Sequence, residues 1–204
     1  MEIERRFFVS GDLQIETRAD GVEVIKGHAA VFNQLSLDLG GFREQVAPGA
    51  FAEAIAKPDD VRALFNHDPN IVLGRNLAGT LSLREDAYGL AIEIVAPATQ
   101  TVRDLVLEPM KRGDVTQMSF GFSVNPNGDQ WAKNDDGAWI RTLTNVRLFD
   151  VSPVTYPAYP QTDVGVARRS LDARIAAAAQ EIEKAKRAAE TDIANRLRLL
   201  DLIA

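Results

Sequence analysis

Along roughly the first 163 residues, apolar positions come in short runs broken by turn residues, whereas from about residue 168 they recur at helical spacing. Ile3 to Ile15 and Val22 to Phe32 alternate or run apolar and are joined through Asp20-Gly21, a favoured hairpin pair. Pro48 to Ile55 reads as a short helix with Ala50, Phe51, Ala54 and Ile55 on one side. Val61 to Phe65 is a buried strand that ends at Asn66-His67-Asp68-Pro69. A second hairpin runs from Leu77–Leu83 to Leu90–Val95 through Asp86-Ala87-Tyr88-Gly89. Thr99 to Arg112 has helical character up to Gly113, a natural stop. Val115 to Val124, Ala138 to Arg141 and Val146 to Val151 complete the strands. So many short strands with two short helices predict an α+β fold: a β-rich, barrel-like domain with short surrounding helices.

The rest of the chain is of another kind. From Arg168 onward there is no Gly, Pro or aromatic residue, and Ala, Glu, Lys, Arg and Leu dominate. Leu171, Ile175, Ala178, Ile182, Ala185 and Ala189 follow one another at spacings of four and three, and Ile193, Leu197 and Leu200 continue the stripe with a slight shift. Glu183–Arg187 and Asp192–Arg196 are i,i+4 pairs that support a solvated helix. The expected organisation is a domain over residues 1–163, followed by a linker and a long C-terminal α-helix over residues 164–204. Such a helix either folds back on its own domain or associates with other chains.

Composition narrows the chemistry. The 204-residue chain has a formal net charge of −6, which argues against a nucleic-acid surface. It contains no cysteine and two histidines, His28 and His67. Disulfides, thiolate metal sites and cysteine nucleophiles are thereby excluded, and a zinc site built on several histidines is disfavoured. The first residues have no apolar h-region, and no apolar run is long enough for a bilayer, so a cytoplasmic protein with no membrane partner is expected.

One strand stands out. In Met118-Ser119-Phe120-Gly121-Phe122-Ser123-Val124 the alternation of a strand puts Met118, Phe120, Phe122 and Val124 on one face. Ser119, Gly121 and Ser123 share the other, a strip of small residues. Either these line the polar side of an ordinary strand, or a peptide lies along them, with Gly121 leaving room and Ser119 as nucleophile. A lipase-type nucleophile elbow does not fit, because position 117 is Gln. A serine nucleophile needs a base. His28 lies inside a strand-like run without polar company and reads as structural. His67 stands where a hydrophobic strand gives way to a loop, as either a surface histidine or a base held by a rigid scaffold. Asp150 follows the apolar run Val146–Phe149, where a carboxylate is costly unless paired or hydrogen-bonded. It is either a turn carboxylate or the partner of the base. Asp68 is the rival acid, although neighbours on an extended chain point apart. Gly40-Gly41 lacks a phosphate-loop context, and Asp135-Asp136-Gly137 is better read as a hairpin turn than as a calcium loop.

In order along the chain stand Gly27-His28-Ala29-Ala30-Val31-Phe32-Asn33, Pro48-Gly49-Ala50-Phe51, Asn66-His67-Asp68, Leu73-Gly74-Arg75, Gly79-Thr80-Leu81 and Gly89-Leu90. Met118-Ser119-Phe120-Gly121-Phe122 and Asp150-Val151-Ser152-Pro153-Val154-Thr155-Tyr156-Pro157-Ala158-Tyr159 follow. Together they resemble the tailed-phage prohead (capsid maturation) serine protease family, from about Gly27 to Thr162. The resemblance implies a fold similar to herpesvirus assemblin, a β-barrel surrounded by helices, with His67 as general base and Ser119 as nucleophile. The family usually has an aromatic residue where His28 stands, and often Glu where Asp150 stands. In the chemistry so implied, Asp150 orients His67, the loop after Asp150 supplies oxyanion donors, and neither metal nor cofactor takes part. The resemblance further implies an enzyme packaged inside the procapsid in the host cytoplasm. Its partners are then the major capsid protein and its scaffold segment as substrates, and often the protease itself, with self-association through the C-terminal helix. The alternative is a non-catalytic capsid-assembly or scaffold-like protein that needs neither Ser119 nor His67.

Overall fold

The structure, a computed structural model, describes residues 3–9, 11–57, 59–156 and 160–201. In it the chain divides into two compact units, Met1–Val164 and Gly165–Ala204. The first unit is built on three sheets. A five-stranded sheet has the order β1 (Glu4–Val9), β9 (Gln117–Val124), β12 (Val146–Val154), β5 (Arg62–Phe65), β6 (Asp68–Arg75). A four-stranded sheet runs β2 (Gln14–Thr17), β3 (Glu23–Val31), β8 (Gly89–Val95), β7 (Leu81–Glu85). The third sheet is β10 (Asp129–Lys133), β11 (Trp139–Leu143), β4 (Phe42–Val46). The expected β-rich α+β fold is present, with its strands divided among three sheets that do not close into a barrel: β1 and β6 remain as edges of the largest.

Burial explains the layering. Three of the four even-numbered positions of β9, Met118, Phe120 and Phe122, are fully buried, as are Leu148 and Val151 of β12. They form one core with Ile25 and Ala29 of β3, Ile92 and Ile94 of β8, and Phe51. Phe51 meets Phe120 edge-on at 5.4 Å between ring centroids, and Phe120 stacks with Phe122 at 4.9 Å. Phe51 also caps the short helix α1 (Ala52–Ala56), so the apolar side read from Pro48–Ile55 does face the core.

Several expectations change in detail. The run from Ile3 to Ile15 supplies two strands, β1 and β2, in different sheets. Strands β4, β6 and β10 have no counterpart among the strands expected from the hydrophobic pattern. The expected helix from Thr99 is present in three consecutive pieces: α2 (Gln100–Val102), a π-turn segment (Arg103–Leu107) and α3 (Glu108–Arg112). The Thr99 hydroxyl caps its start, and Gly113 at φ 83° ends it.

The second unit is dominated by α4, which runs unbroken as Pro160–Asp201. The stretch expected as a linker before Ser170 is therefore already helical. Proline at the first helical position, where its missing N–H costs nothing, explains the early start. Along α4, Ile175 and Ile182 are exposed and Glu183 pairs with Arg187 at 3.3 Å. Ala189, Ile193, Leu197, Leu200 and the Asp192–Arg196 pair lie outside the described side chains, and Pro157-Ala158-Tyr159 lies outside the described residues. Among the described residues no helix is long and apolar enough to cross a membrane.

Candidate active site

Strand alternation builds one side of the site. Cross-strand partners in a ladder share a face, so the pairing of β9 with β12 shows what accompanies Ser119. Ser119 lies opposite Ser152, Gly121 opposite Asp150 and Ser123 opposite Arg147. On the other face Met118 lies opposite Pro153, Phe120 opposite Val151 and Phe122 opposite Leu148. Simple alternation from Val146 and Leu148 would put Asp150 on that core face. A β-bulge between Leu148 and Asp150 leaves Phe149 as the extra residue and reverses the parity. This bulge carries Asp150 and Ser152 onto the face of Ser119.

The other side is a tight turn. Phe65 pairs with Asp68, so Asn66 and His67 are the two central residues of the β5–β6 hairpin. Their φ values are 54° and 58°. Positive φ at both positions is the pattern of a type I′ turn, which Asn favours and His tolerates. Asn66 also ties the turn to the end of β12. Its N–H donates to the Pro153 carbonyl at 3.0 Å, its side-chain amide donates to Thr155 Oγ1 at 2.8 Å, and its Oδ1 accepts from the Thr155 N–H at 2.9 Å.

Held this way, His67 reaches across β12. Its Nδ1 lies 2.5 Å from Asp150 Oδ1 and its Nε2 lies 2.6 Å from Ser119 Oγ. Nδ1 faces a carboxylate, an acceptor only, so it carries the proton and donates. Nε2 of the neutral ring then accepts from the Ser119 hydroxyl. Asp150 Oδ1 accepts a second hydrogen bond, from Ser152 Oγ at 2.7 Å. Ser119 and Ser152 are fully buried, and only about a tenth of the His67 and Asp150 side-chain surfaces reach solvent. The arrangement is a hydroxyl, a base with one nitrogen committed to a carboxylate, and little water, which are the parts of a nucleophile activated for acyl transfer.

The three residues singled out in the sequence thus stand together, and their rivals do not. Asp68 turns back on its own strand, where its Oδ1 accepts from the Asn70 N–H and side-chain amide, each at 2.8 Å. His28, expected to lack polar company, has carboxylates at both ring nitrogens. Asp12 meets Nδ1 and Asp86 meets Nε2, the latter at 3.0 Å, with Tyr88 edge-on at 4.9 Å. A hydrogen bond from His28 and donation from the Tyr88 and Gly89 N–H groups hold the Asp86 carboxyl down to about 2, against the opposing effect of burial. With a carboxylate at each nitrogen, His28 links the turn before β2 to the β7–β8 turn. The room over Gly121, read as space for a peptide, is taken by the Asp150 carboxylate. Residues after Asp150 continue as strand to Val154 and form no loop there that could supply oxyanion donors. Asp135-Asp136-Gly137 is the β10–β11 turn, with Gly137 at φ 79°. Among the described residues no cluster of three or more His, Cys, Asp or Glu side chains could hold a metal ion.

Two neighbours escaped the sequence reading. Asn66 had a readable signal, because Asn before another residue between two apolar runs suits a positive-φ turn. Ser152 had none, since its importance comes through the bulge.

The family model of the caudovirus prohead serine proteases matches residues 11–176. No curated protein sequence matches the chain. Among solved structures, it is similar to the bacteriophage T4 capsid assembly protease at 9% identity, with a TM-score of 0.48 over 75% of this chain and 97% of that one. With the match to the family model spanning most of its length, the chain belongs to the caudovirus prohead serine protease family.

Proposed function

We propose that the chain is a serine endopeptidase with Ser119 as nucleophile, His67 as general base and Asp150 as the acid that orients it. The observation that carries this reading is the continuous hydrogen-bonded chain Ser119 Oγ–His67 Nε2, His67 Nδ1–Asp150 Oδ1, at 2.6 Å and 2.5 Å. His67 takes the Ser119 proton as Oγ attacks the scissile carbonyl, then gives it to the leaving amine. The acyl-enzyme is released when His67 activates a water. Asp150 holds the tautomer with its proton on Nδ1 and stabilises the imidazolium as it forms. In this reading the substrates are the major capsid protein and its scaffold segment, cleaved inside the procapsid, and the protease itself. The role of α4 is association or packaging, and chemistry stays in the first unit.

A fluorophosphonate probe and co-expression with the neighbouring capsid protein test this directly. Ser119→Ala should abolish both labelling and capsid-protein truncation. His67→Ala should abolish truncation, with the double variant hardly worse than either single one, because the two residues act as a unit. Asp150→Asn should lose about a thousandfold or more in kcat/KM, by analogy with the chymotrypsin-type template, while Asp68→Asn stays near wild type. A Ser119→Ala protein that still truncates the capsid protein would mark the chain as something other than this protease. A wild-type chain that folds but neither labels nor cleaves would mark it as an assembly protein.

A further inference from the structure

The carboxylate of Asp150 has a seat of its own, made by two residues to which the mechanism assigns no chemistry. Across the ladder from Asp150 stands Gly121. A Cβ built on Gly121 would lie 2.3 Å from Asp150 Oδ2 and 3.3 Å from its Cγ. The first of these is a distance that real carbon atoms do not tolerate. Gly121 has no positive φ, so its backbone does not call for glycine. Space does. The other oxygen, Oδ1, is fixed by two donors, His67 Nδ1 at 2.5 Å and Ser152 Oγ at 2.7 Å. Ser152 is fully buried, and its ladder partner is Ser119. The last torsion of an aspartate is broad, so the side chain does not by itself choose the plane in which it meets an imidazole. A second donor on Oδ1 and a bare backbone under Oδ2 make that choice.

We propose that Gly121 and Ser152 are positioning residues that together hold Asp150 in line with His67, an inference that rests on the reading of Ser119, His67 and Asp150 as the catalytic group. Gly121 acts by withholding a side chain and Ser152 by donating a hydrogen bond. Neither touches the scissile bond. The atom that an alanine at position 121 would strike is the end of a side chain, so it is the carboxylate that gives way.

The test uses the full chain with Gly121→Ala and Ser152→Ala, each alone and each combined with Asp150→Ala. Two quantities are read: the second-order rate of fluorophosphonate labelling and the thermal midpoint. Each single variant should label roughly tenfold to a hundredfold more slowly, the range set by one hydrogen bond to a charged group. Each should cost less than about twofold once Asp150 is already alanine, because a residue that acts through Asp150 has then lost its object. Gly121→Ala should lower the midpoint in the native background and leave it unchanged beside Asp150→Ala, where the methyl has nothing to strike. Either variant labelling at the native rate, or losing the same factor in both backgrounds, overturns the proposal. If Asp150→Ala itself labels at the native rate, the proposed function of Asp150 falls and this inference with it. A crippled Asp150→Ala beside fully active single variants sinks the inference alone. Should Gly121→Ala not fold, Ser152→Ala decides the matter by the same criteria.

Discussion

His67 occupies a backbone conformation that non-glycine residues rarely take, and a positive φ of this kind costs about 1–3 kcal/mol and persists only where its surroundings enforce it. Here the enforcement comes from its neighbour. Asn66 tolerates positive φ itself and bonds to Thr155 through both ends of its side-chain amide. His67 is therefore held from the end of the same strand that supplies Asp150. Asn66→Gly keeps the conformational freedom and loses the tether, whereas Asn66→Ala loses both. We expect kcat/KM to fall in the order wild type, Asn66→Gly, Asn66→Ala, with about a tenfold or larger loss for the last. Steady-state kinetics beside a thermal melt would separate a displaced base from an unfolded chain. An Asn66→Ala enzyme with native kinetics would show that the turn holds His67 without it.

At the scale of elements, the helix α4 and the strand β9 make opposite cases. The family match ends at residue 176, well inside α4, and the described residues beyond it continue that helix to Asp201. Truncation after residue 176 should leave peptide hydrolysis within about twofold of the full chain and reduce incorporation into procapsids. Measuring both on one preparation checks it, and a folded truncation without hydrolysis would give α4 a part in the chemistry. Strand β9 was legible because alternation is local: Met118, Phe120 and Phe122 against Ser119, Gly121 and Ser123 needs no tertiary information. The end of β5 at Asn66-His67 was legible because an apolar run gives way there to polar residues, which is also a local signal. Strand β6 was not, because it opens on Asp68-Pro69-Asn70, residues that ordinarily mark loops, and only the ladder to β5 makes it a strand. Strand β10, the exposed edge of its sheet, carries polar residues where a core strand would show an apolar pattern. Nor could the facing of Asp150 be counted along the chain. Its parity depends on Phe149 being left without a partner, a property of the pairing with β9 rather than of either segment.

Across the whole first unit, the five-stranded and three-stranded sheets are joined by charge. Arg6 and Glu4 of β1 meet Glu44 of β4 and Arg141 of β11 in a buried network. Arg141 Nη1 lies 2.8 Å from Glu4 and 3.0 Å from Glu44, its Nε lies 2.9 Å from Asp129, and Arg6 Nε lies 2.8 Å from Glu44. Burial opposes the charge on Arg141, and the surrounding carboxylates more than offset it, raising its pKa further above the ordinary arginine value. Arg141→Met would leave Glu4 and Glu44 facing each other with Arg6 alone to offset them. We expect it to destabilise the unit by about 3–5 kcal/mol in urea unfolding, since breaking a buried pair strands a charge. A loss under about 1 kcal/mol would mean the carboxylates find other partners or take up protons. The same network and the same strand set an order of events when the chain folds. β1 comes from the start of the unit, yet it completes the ladder beside Ser119, and Glu4 and Arg6, paired with each other on β1, reach Arg141 and Glu44 only when it docks. Closing so long a loop is slow, because the entropy is lost before the contacts repay it. Competence to cleave should therefore lag behind collapse, which fluorophosphonate labelling during refolding, timed against the compaction signal, would check.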